Sequence, residues 1–69
     1  MKEAIKELEK SLIINPDLGI AHDVLSFAYY ILGKFHIAQK HHIKAQSSGI
    51  DNPVIERKLK NVFKKLKQE

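Results

Sequence analysis

Apolar residues along this chain recur at helical spacing in four segments, which are separated by three sites that break helices. The first segment covers residues 2–14, where Ala4, Leu8 and Leu12 recur every four residues, as is typical of an amphipathic helix. The run 15–17, Asn-Pro-Asp, ends this segment, because proline disfavours helical backbone in the residue before it and lacks an amide donor.

The second predicted helix, residues 18–32, is apolar on two faces. Asp17 precedes it, and we expect its carboxylate to cap the helix by accepting from the first backbone amides. One apolar face holds Ala21, Leu25, Ala28, Tyr29 and Leu32, and the other holds Ile20, Val24, Phe27 and Ile31. A helix with two apolar faces is buried on both or offers one of them to a ligand. Gly33 is predicted to end it in the left-handed conformation.

Two further helices are predicted in the second half of the chain. Residues 35–46 form the third, which the run 47–49, Ser-Ser-Gly, ends. Residues 53–67 form the fourth, with Asn52 as its cap and Pro53 at the first helical position, where a missing donor costs nothing. No segment shows the alternation of a strand. The pattern therefore predicts an all-α fold of about four helices.

Composition bounds the class of protein. The chain has 69 residues, enough for one small domain, and contains no cysteine, which fits a cytoplasmic location. No apolar run approaches the ~20 residues of a membrane span, so no membrane partner is expected. Residues 1–52 carry six lysines and six acids, whereas residues 53–69 carry six bases and two acids. The whole excess of +4 therefore lies in the last segment.

A period of 34 residues relates the two halves of the chain: Ala4 corresponds to Ala38, Leu8 to His42 and Ser11 to Ala45. Thirty-four residues is the period of the tetratricopeptide repeat (TPR). With Gly19 as the first repeat position, four residues occupy signature places, namely Leu25, Tyr29, Ala38 and Ala45. The chain therefore resembles a fragment of a TPR array over most of its length.

The resemblance implies an antiparallel helix-turn-helix repeat stack, as in an α-solenoid. Residues 1–14 would be the second helix of a preceding repeat, 18–48 a complete repeat, and 53–67 a terminal capping helix. The chain would then be a piece of a longer protein or would self-associate. It departs from the pattern at His22, Ser26 and His42, which replace a bulky aromatic residue, a glycine and a large apolar residue, and its proline arrives three residues late, at Pro53.

By the same resemblance, the first helix of each repeat lines a concave groove that binds partners. The groove positions here would be Ile20, Asp23, Val24, Phe27, Tyr30, Ile31 and Lys34. The implied function is non-catalytic binding of a protein, a peptide, a helix or a subunit. The alternatives are that these residues pack against further helices of an array, and that the chain is a self-associating assembly module.

A basic face is predicted on the last helix, where five residues share one side at spacings of three and four: Arg57, Lys60, Asn61, Lys64 and Lys67. It is either a solvated surface or a site for an acidic partner, and we expect it to continue the concave groove beyond Ile31. Because the basic face lacks interleaved aromatic residues and any recognised nucleic-acid motif, nucleic-acid binding ranks third among the functions.

No residue pattern indicates catalysis. The four histidines (His22, His36, His41 and His42) include no pair at the i, i+4 spacing of helical zinc ligands. No serine lies in the glycine elbow of a hydrolase, and the three glycines form no phosphate loop. We therefore predict no catalytic, metal or cofactor residues, and a protein that is not an enzyme.

Overall fold

Four α-helices make up the fold. The computed structural model describes residues 2–67, and within that range it contains no strand. The helices are α1 (Lys2–Ile14), α2 (Gly19–Ile31), α3 (Phe35–Ser47) and α4 (Pro53–Lys67). The predicted all-α class is confirmed; α2 is one residue shorter at each end than predicted, and α3 is one residue longer. None of the four has the length and apolar character that crossing a bilayer requires.

The starts of α2 and α4 differ in how they are capped. At α4, Asn52 Oδ1 accepts hydrogen bonds from the amides of Val54 (3.2 Å) and Ile55 (3.3 Å), as predicted. At α2, the predicted cap by Asp17 is wrong. The turn closes with the Leu18 amide donating to the Asn15 carbonyl, so Leu18 takes the cap position, where its side chain makes no hydrogen bond.

Glycine in the left-handed conformation ends both α2 and α3. Gly33 has φ 79° and Gly49 has φ 91°. In each case the next amide bonds back five residues, from Lys34 to the Tyr29 carbonyl (2.9 Å) and from Ile50 to the Ala45 carbonyl (2.9 Å). These are the bonds of the Schellman motif, which satisfies carbonyls that a helix end otherwise leaves unpaired.

Small buried residues bring α2 and α3 close together. Ala21, Ser26, Ala38 and Ala45 are all at most 1% exposed. Ser26, at the position where the repeat pattern has glycine, donates from its hydroxyl to the Ala38 carbonyl at 2.9 Å. Its burial is therefore compensated, since a buried hydroxyl without a partner would be unfavourable.

Two apolar clusters form the core, and residues of α2 take part in both. In the first, Ile5 of α1 packs with Leu25 and Ala28, and the half-buried Leu8, Leu12 and Tyr29 pack against them. In the second, Ala38 of α3 packs with Ile55 and Leu59 of α4, surrounded by Phe27, Tyr29, Tyr30, Phe35 and Phe63. Tyr29 borders both clusters, so α2 connects α1 to α4.

The start of α2 also packs tightly on the α3–α4 connection. Gly19 is buried, and a Cβ atom placed there would lie 2.8 Å from Ser48 Cβ and 3.0 Å from Ile50 Cγ1. Such distances are shorter than van der Waals contact. Glycine is thus required at the first position of α2 by its neighbours rather than by its backbone angles.

Gly19→Ala tests this contact. Although alanine favours helix over glycine by about 1 kcal/mol, we expect the substitution to lower the free energy of unfolding by about 1–3 kcal/mol because of overpacking. Chemical denaturation followed by circular dichroism measures it. In a Ser48→Gly background the loss should shrink, because the nearest carbon is gone. An equal loss in both backgrounds would show that Ser48 is not the obstacle.

Candidate functional site

An exposed apolar stripe runs along α2. Ile20, Val24 and Ile31 are 64%, 45% and 64% exposed, and Phe27 between them is half-buried. Their spacing of i, i+4, i+7 and i+11 places all four on one side of the helix. We call these four residues the α2 stripe. Exposed apolar side chains that lie together in this way make the α2 stripe a candidate contact surface.

The other predicted groove residues are engaged in packing or lie at the helix end. Asp23 accepts a hydrogen bond from the Asn52 side-chain amide at 3.1 Å, which ties α2 to the start of α4. The Tyr30 ring meets Phe35 edge-on with centroids 5.5 Å apart, and the Lys58 ammonium lies 5.8 Å from the Tyr30 centroid. Lys34 is exposed beyond the end of α2. Asp23 and Tyr30 therefore support the side of the α2 stripe that faces α4.

The structure divides the predicted basic face into residues inside and outside one groove. Lys60, Lys64 and Lys67 line a groove between α3 and α4, whereas Arg57 and Asn61 are exposed outside it. No α2 residue lines this groove, so the expected continuation of an α2 surface onto these lysines is corrected. Burial of Ile55 and Leu59 fixes the rotation of α4, and that rotation turns the three lysines towards α3.

The α3–α4 groove has a volume of about 600 Å³ and runs between two antiparallel helices. His36, early in α3, packs on Phe63, late in α4, with ring centroids 5.1 Å apart. The groove is lined by residues of both helices: His36, Gln39, His42, Ile43 and Gln46 from α3, and Glu56, Leu59, Lys60, Phe63, Lys64 and Lys67 from α4. The groove thus has an apolar floor and a polar rim.

His42 is the unusual residue of this groove. It is only 5% exposed, and neither ring nitrogen has a hydrogen-bond partner among residues 2–67. A buried polar group without a partner costs roughly 1–3 kcal/mol. Leu8, its counterpart 34 residues earlier, packs against the first apolar cluster. The structure therefore keeps a polar ring where the repeat pattern has an apolar side chain.

A second pair of histidines joins α2 to α3. His22 Nδ1 and His41 Nδ1 are 2.9 Å apart, and His22 Nε2 is 2.8 Å from the Pro16 carbonyl oxygen. Only a ring N–H can bond to a carbonyl, so His22 donates from Nε2, and in its neutral form it accepts at Nδ1. His41 must then donate from its own Nδ1. This assignment follows from the network of partners.

Tyr29 and Glu9 extend this arrangement to α1. The His41 and Tyr29 rings are stacked, with centroids 5.7 Å apart and planes within 2°, and the Tyr29 hydroxyl donates to the Glu9 carboxylate. That hydrogen bond, together with burial and the Glu9 charge, raises the pKa of Tyr29 to about 12. Desolvation lowers the pKa of His41, and the nearby charges of His22, Lys44 and Lys40 act in the same direction, whereas Glu9 opposes them.

Hydrogen bonds and ring contacts join these groups to one another. Within the described residues, no group of three or more His, Cys, Asp or Glu side chains is placed to hold a metal ion. His22 and His41 are hydrogen-bonded to each other through their Nδ1 atoms. A metal ion shared by the two rings on that side would need the same two nitrogens. Two serines join parts of the fold that are distant in sequence: Ser26 donates to the Ala38 carbonyl of α3, and Ser48 donates to the Asp17 carbonyl at 3.1 Å.

Two features of the site were not predicted from the sequence. The His22–His41 hydrogen bond joins residues 19 apart, and no spacing rule signals such a pair. The α3–α4 groove was also not predicted as a site. The one signal for it was the 34-residue correspondence of His42 with Leu8, which showed a polar residue where an apolar one is expected. The predicted helix spacings did identify the lysines on its rim.

Comparison with known proteins gives no match: no family model, no curated protein and no solved structure matches this chain. The 34-residue correspondence with the TPR pattern accordingly stays a resemblance carried by the residues themselves.

The histidine pair predicts a pH dependence. The folded-state pKa of His41 lies below its ordinary value of 6.5, so the unfolded chain binds a proton more readily. The stability that this group contributes is present above pH 6.5 and is lost as the pH falls from 6.5 through the lowered pKa. In His41→Asn, whose amide can take the place of Nδ1, the decline measured by denaturation at a series of pH values should be shallower. The same slope in both proteins would contradict this assignment.

A second prediction concerns the buried ring of the groove. His42→Leu should raise the free energy of unfolding by about 1–3 kcal/mol, because it removes a buried polar group that has no partner. Thermal and chemical denaturation measure the change. The matched control is Lys40→Leu, an exposed position on the same helix outside the groove, which should stay within about 0.5 kcal/mol of the parent. Destabilisation by His42→Leu would show that the ring has a partner in solution.

Proposed function

We propose that this chain is a non-catalytic, TPR-type helical module that binds a peptide or helix of another protein through the α2 stripe. The observation that carries the proposal is the exposure of Ile20, Val24 and Ile31 on one side of a helix that is otherwise buried. Burying one such side chain against a partner contributes on the order of 1.5–3 kcal/mol. These three side chains, with Phe27 beside them, form the proposed contact surface.

The surroundings of the α2 stripe support the same function. The stripe lies on the most firmly held helix, because α2 packs on α1, α3 and α4. Asp23 and Tyr30, beside the stripe, are held by Asn52 and Phe35. A rigid surface loses little conformational entropy on binding, which favours affinity.

The repeat resemblance suggests which part of a repeat array each segment of the chain corresponds to. In it, α1 is the second helix of a preceding repeat, residues 18–48 are a complete repeat, and α4 is a capping helix. The cysteine-free sequence supports a cytoplasmic location. Selective binding of nucleic acid by the basic residues of α4 is the least supported of the functions, since aromatic side chains do not alternate with them.

Self-association is a second candidate, which the end of α1 favours. Ile13 and Ile14 are 80% and 87% exposed, although both are large and apolar. A contact between copies would most simply use the same face twice. Sedimentation over a range of concentrations tests it: a dimer that Ile13→Ser with Ile14→Ser dissociates supports self-association, and a monomer throughout contradicts it.

The α2 stripe is tested with peptides selected from a displayed random library on the unmodified domain. Ile20→Ser with Ile31→Ser should weaken their binding by about 1–3 kcal/mol per residue, because the contact area is lost, while the helical spectrum stays unchanged. Fluorescence anisotropy with labelled peptides measures the dissociation constants. Ile13→Ser with Ile14→Ser is the matched control, which removes two isoleucines of α1 that are more exposed than Ile20 and Ile31.

Phe27→Ala is a less selective variant of the same test. Because Phe27 also packs against the second apolar cluster, both stability and binding should fall. If the selected peptides bind the Ile20→Ser, Ile31→Ser protein as tightly as the parent, the α2 stripe is not the binding surface.

A further inference from the structure

The geometry points to a second binding site, independent of the α2 stripe: the α3–α4 groove takes an acidic, amphipathic helix of a partner protein. Three properties of the groove carry this inference, namely its length, the buried His42 on its floor and the sign of the charge on its rim.

The shape of the groove fits a helix. Its lining residues extend from His36 to Gln46 on α3 and from Glu56 to Lys67 on α4. At 1.5 Å per residue, each wall is roughly 15 Å long, which is about three helical turns. A trough between two antiparallel helices is the surface on which the side-chain ridges of a third helix pack. An amphipathic helix of three turns therefore matches both the length and the form of the groove.

The floor selects a ligand that is apolar but carries a hydrogen-bond acceptor. Ile43, Leu59 and Phe63 provide apolar surface, and Ile43 is 52% exposed. Among them lies His42, whose ring nitrogens have no partner within residues 2–67. A neutral imidazole always has one N–H donor and one acceptor nitrogen. A carboxylate of the ligand that reaches this ring satisfies the donor, which a purely apolar ligand leaves unpaired.

The rim selects negative charge. At one end, Lys60 pairs with Glu56 at 3.9 Å, so the charges there cancel. At the other end, Lys64 and Lys67 form no ion pair among the described residues, and the early part of α3 contributes His36 and Gln39 but no acid. Glutamate or aspartate side chains on the partner complement this end. A nucleic acid would supply negative charge but would leave the apolar floor uncovered.

The test uses a variant in which the α2 stripe is already disabled, Ile20→Ser with Ile31→Ser, so that the two sites are tested separately. A displayed library of helical peptides, randomised over three turns, is selected against this protein. We expect the enriched peptides to carry apolar residues at spacings of three and four with glutamate or aspartate beside them. Titration should also shift the side-chain ¹⁵N resonances of His42, which a purely structural ring would not show.

Matched variants then locate the contact. Lys64→Glu with Lys67→Glu should raise the dissociation constant of an enriched peptide roughly tenfold or more, and so should His42→Leu. Lys65→Glu is the control, because Lys65 lies on the same helix outside the groove. Since His42→Leu is expected to stabilise the fold, weaker binding by that protein cannot be ascribed to unfolding.

Several results would overturn the inference. These are a selection that enriches no peptide, enriched peptides without acidic residues, equal effects of Lys64→Glu and Lys65→Glu, and unchanged binding to the His42→Leu protein. Sedimentation of the unliganded domain tests whether a second copy of this chain occupies the groove instead. If it forms a dimer that Lys64→Glu dissociates, the groove is filled by a second copy of this chain and not by a partner protein.

Discussion

The close approach of α2 and α3 is the constraint on which the rest of the structure depends. Four small residues, Ala21, Ser26, Ala38 and Ala45, are at most 1% exposed, and their size lets the two helices come close. The one hydroxyl among them donates to a backbone carbonyl, so the contact contains no unpaired polar group. With α2 fixed in this way, α1 and α4 also pack against it. Its exposed face carries the α2 stripe.

Polar side chains connect the helices around this contact, and they do so unevenly. The chain from Glu9 through Tyr29, His41 and His22 to the Pro16 carbonyl links α1, α2 and α3, and each hydrogen bond in it has a donor and an acceptor. His42, the next residue after His41, is buried without such partners. Adjacent residues of a helix point about 100° apart, which explains why one histidine joins the network and the other enters the groove.

The two candidate surfaces differ in what a partner would find there. The α2 stripe is an exposed apolar surface formed by isoleucine and valine side chains of one helix. The α3–α4 groove is recessed, with a lysine rim and a polar ring on its floor. The chemistry that would complement one surface therefore differs from the chemistry that would complement the other.

Local signals accounted for most of the helix boundaries. Asn52 and Gly33 act within a few residues of themselves, so their roles as cap and stop were predictable and are confirmed. Asp17 has the same chemistry as other caps, but the turn at Pro16 and Asp17 places Leu18 at the cap position instead. Which of two neighbouring residues caps a helix depends on how the preceding turn closes, and residue type alone does not determine that.

The sequence by itself determined the four helices, because apolar spacing, proline and glycine act through the local backbone. It also determined which side chains share a helix face, including the isoleucines of α2 and the lysines of α4. Only the tertiary structure decided what those faces meet. The rotation of α4, fixed by burial of Ile55 and Leu59, turned the lysines towards α3 and away from the α2 stripe. That rotation results from packing between residues far apart in the chain, and such contacts leave no mark on the spacing within one helix.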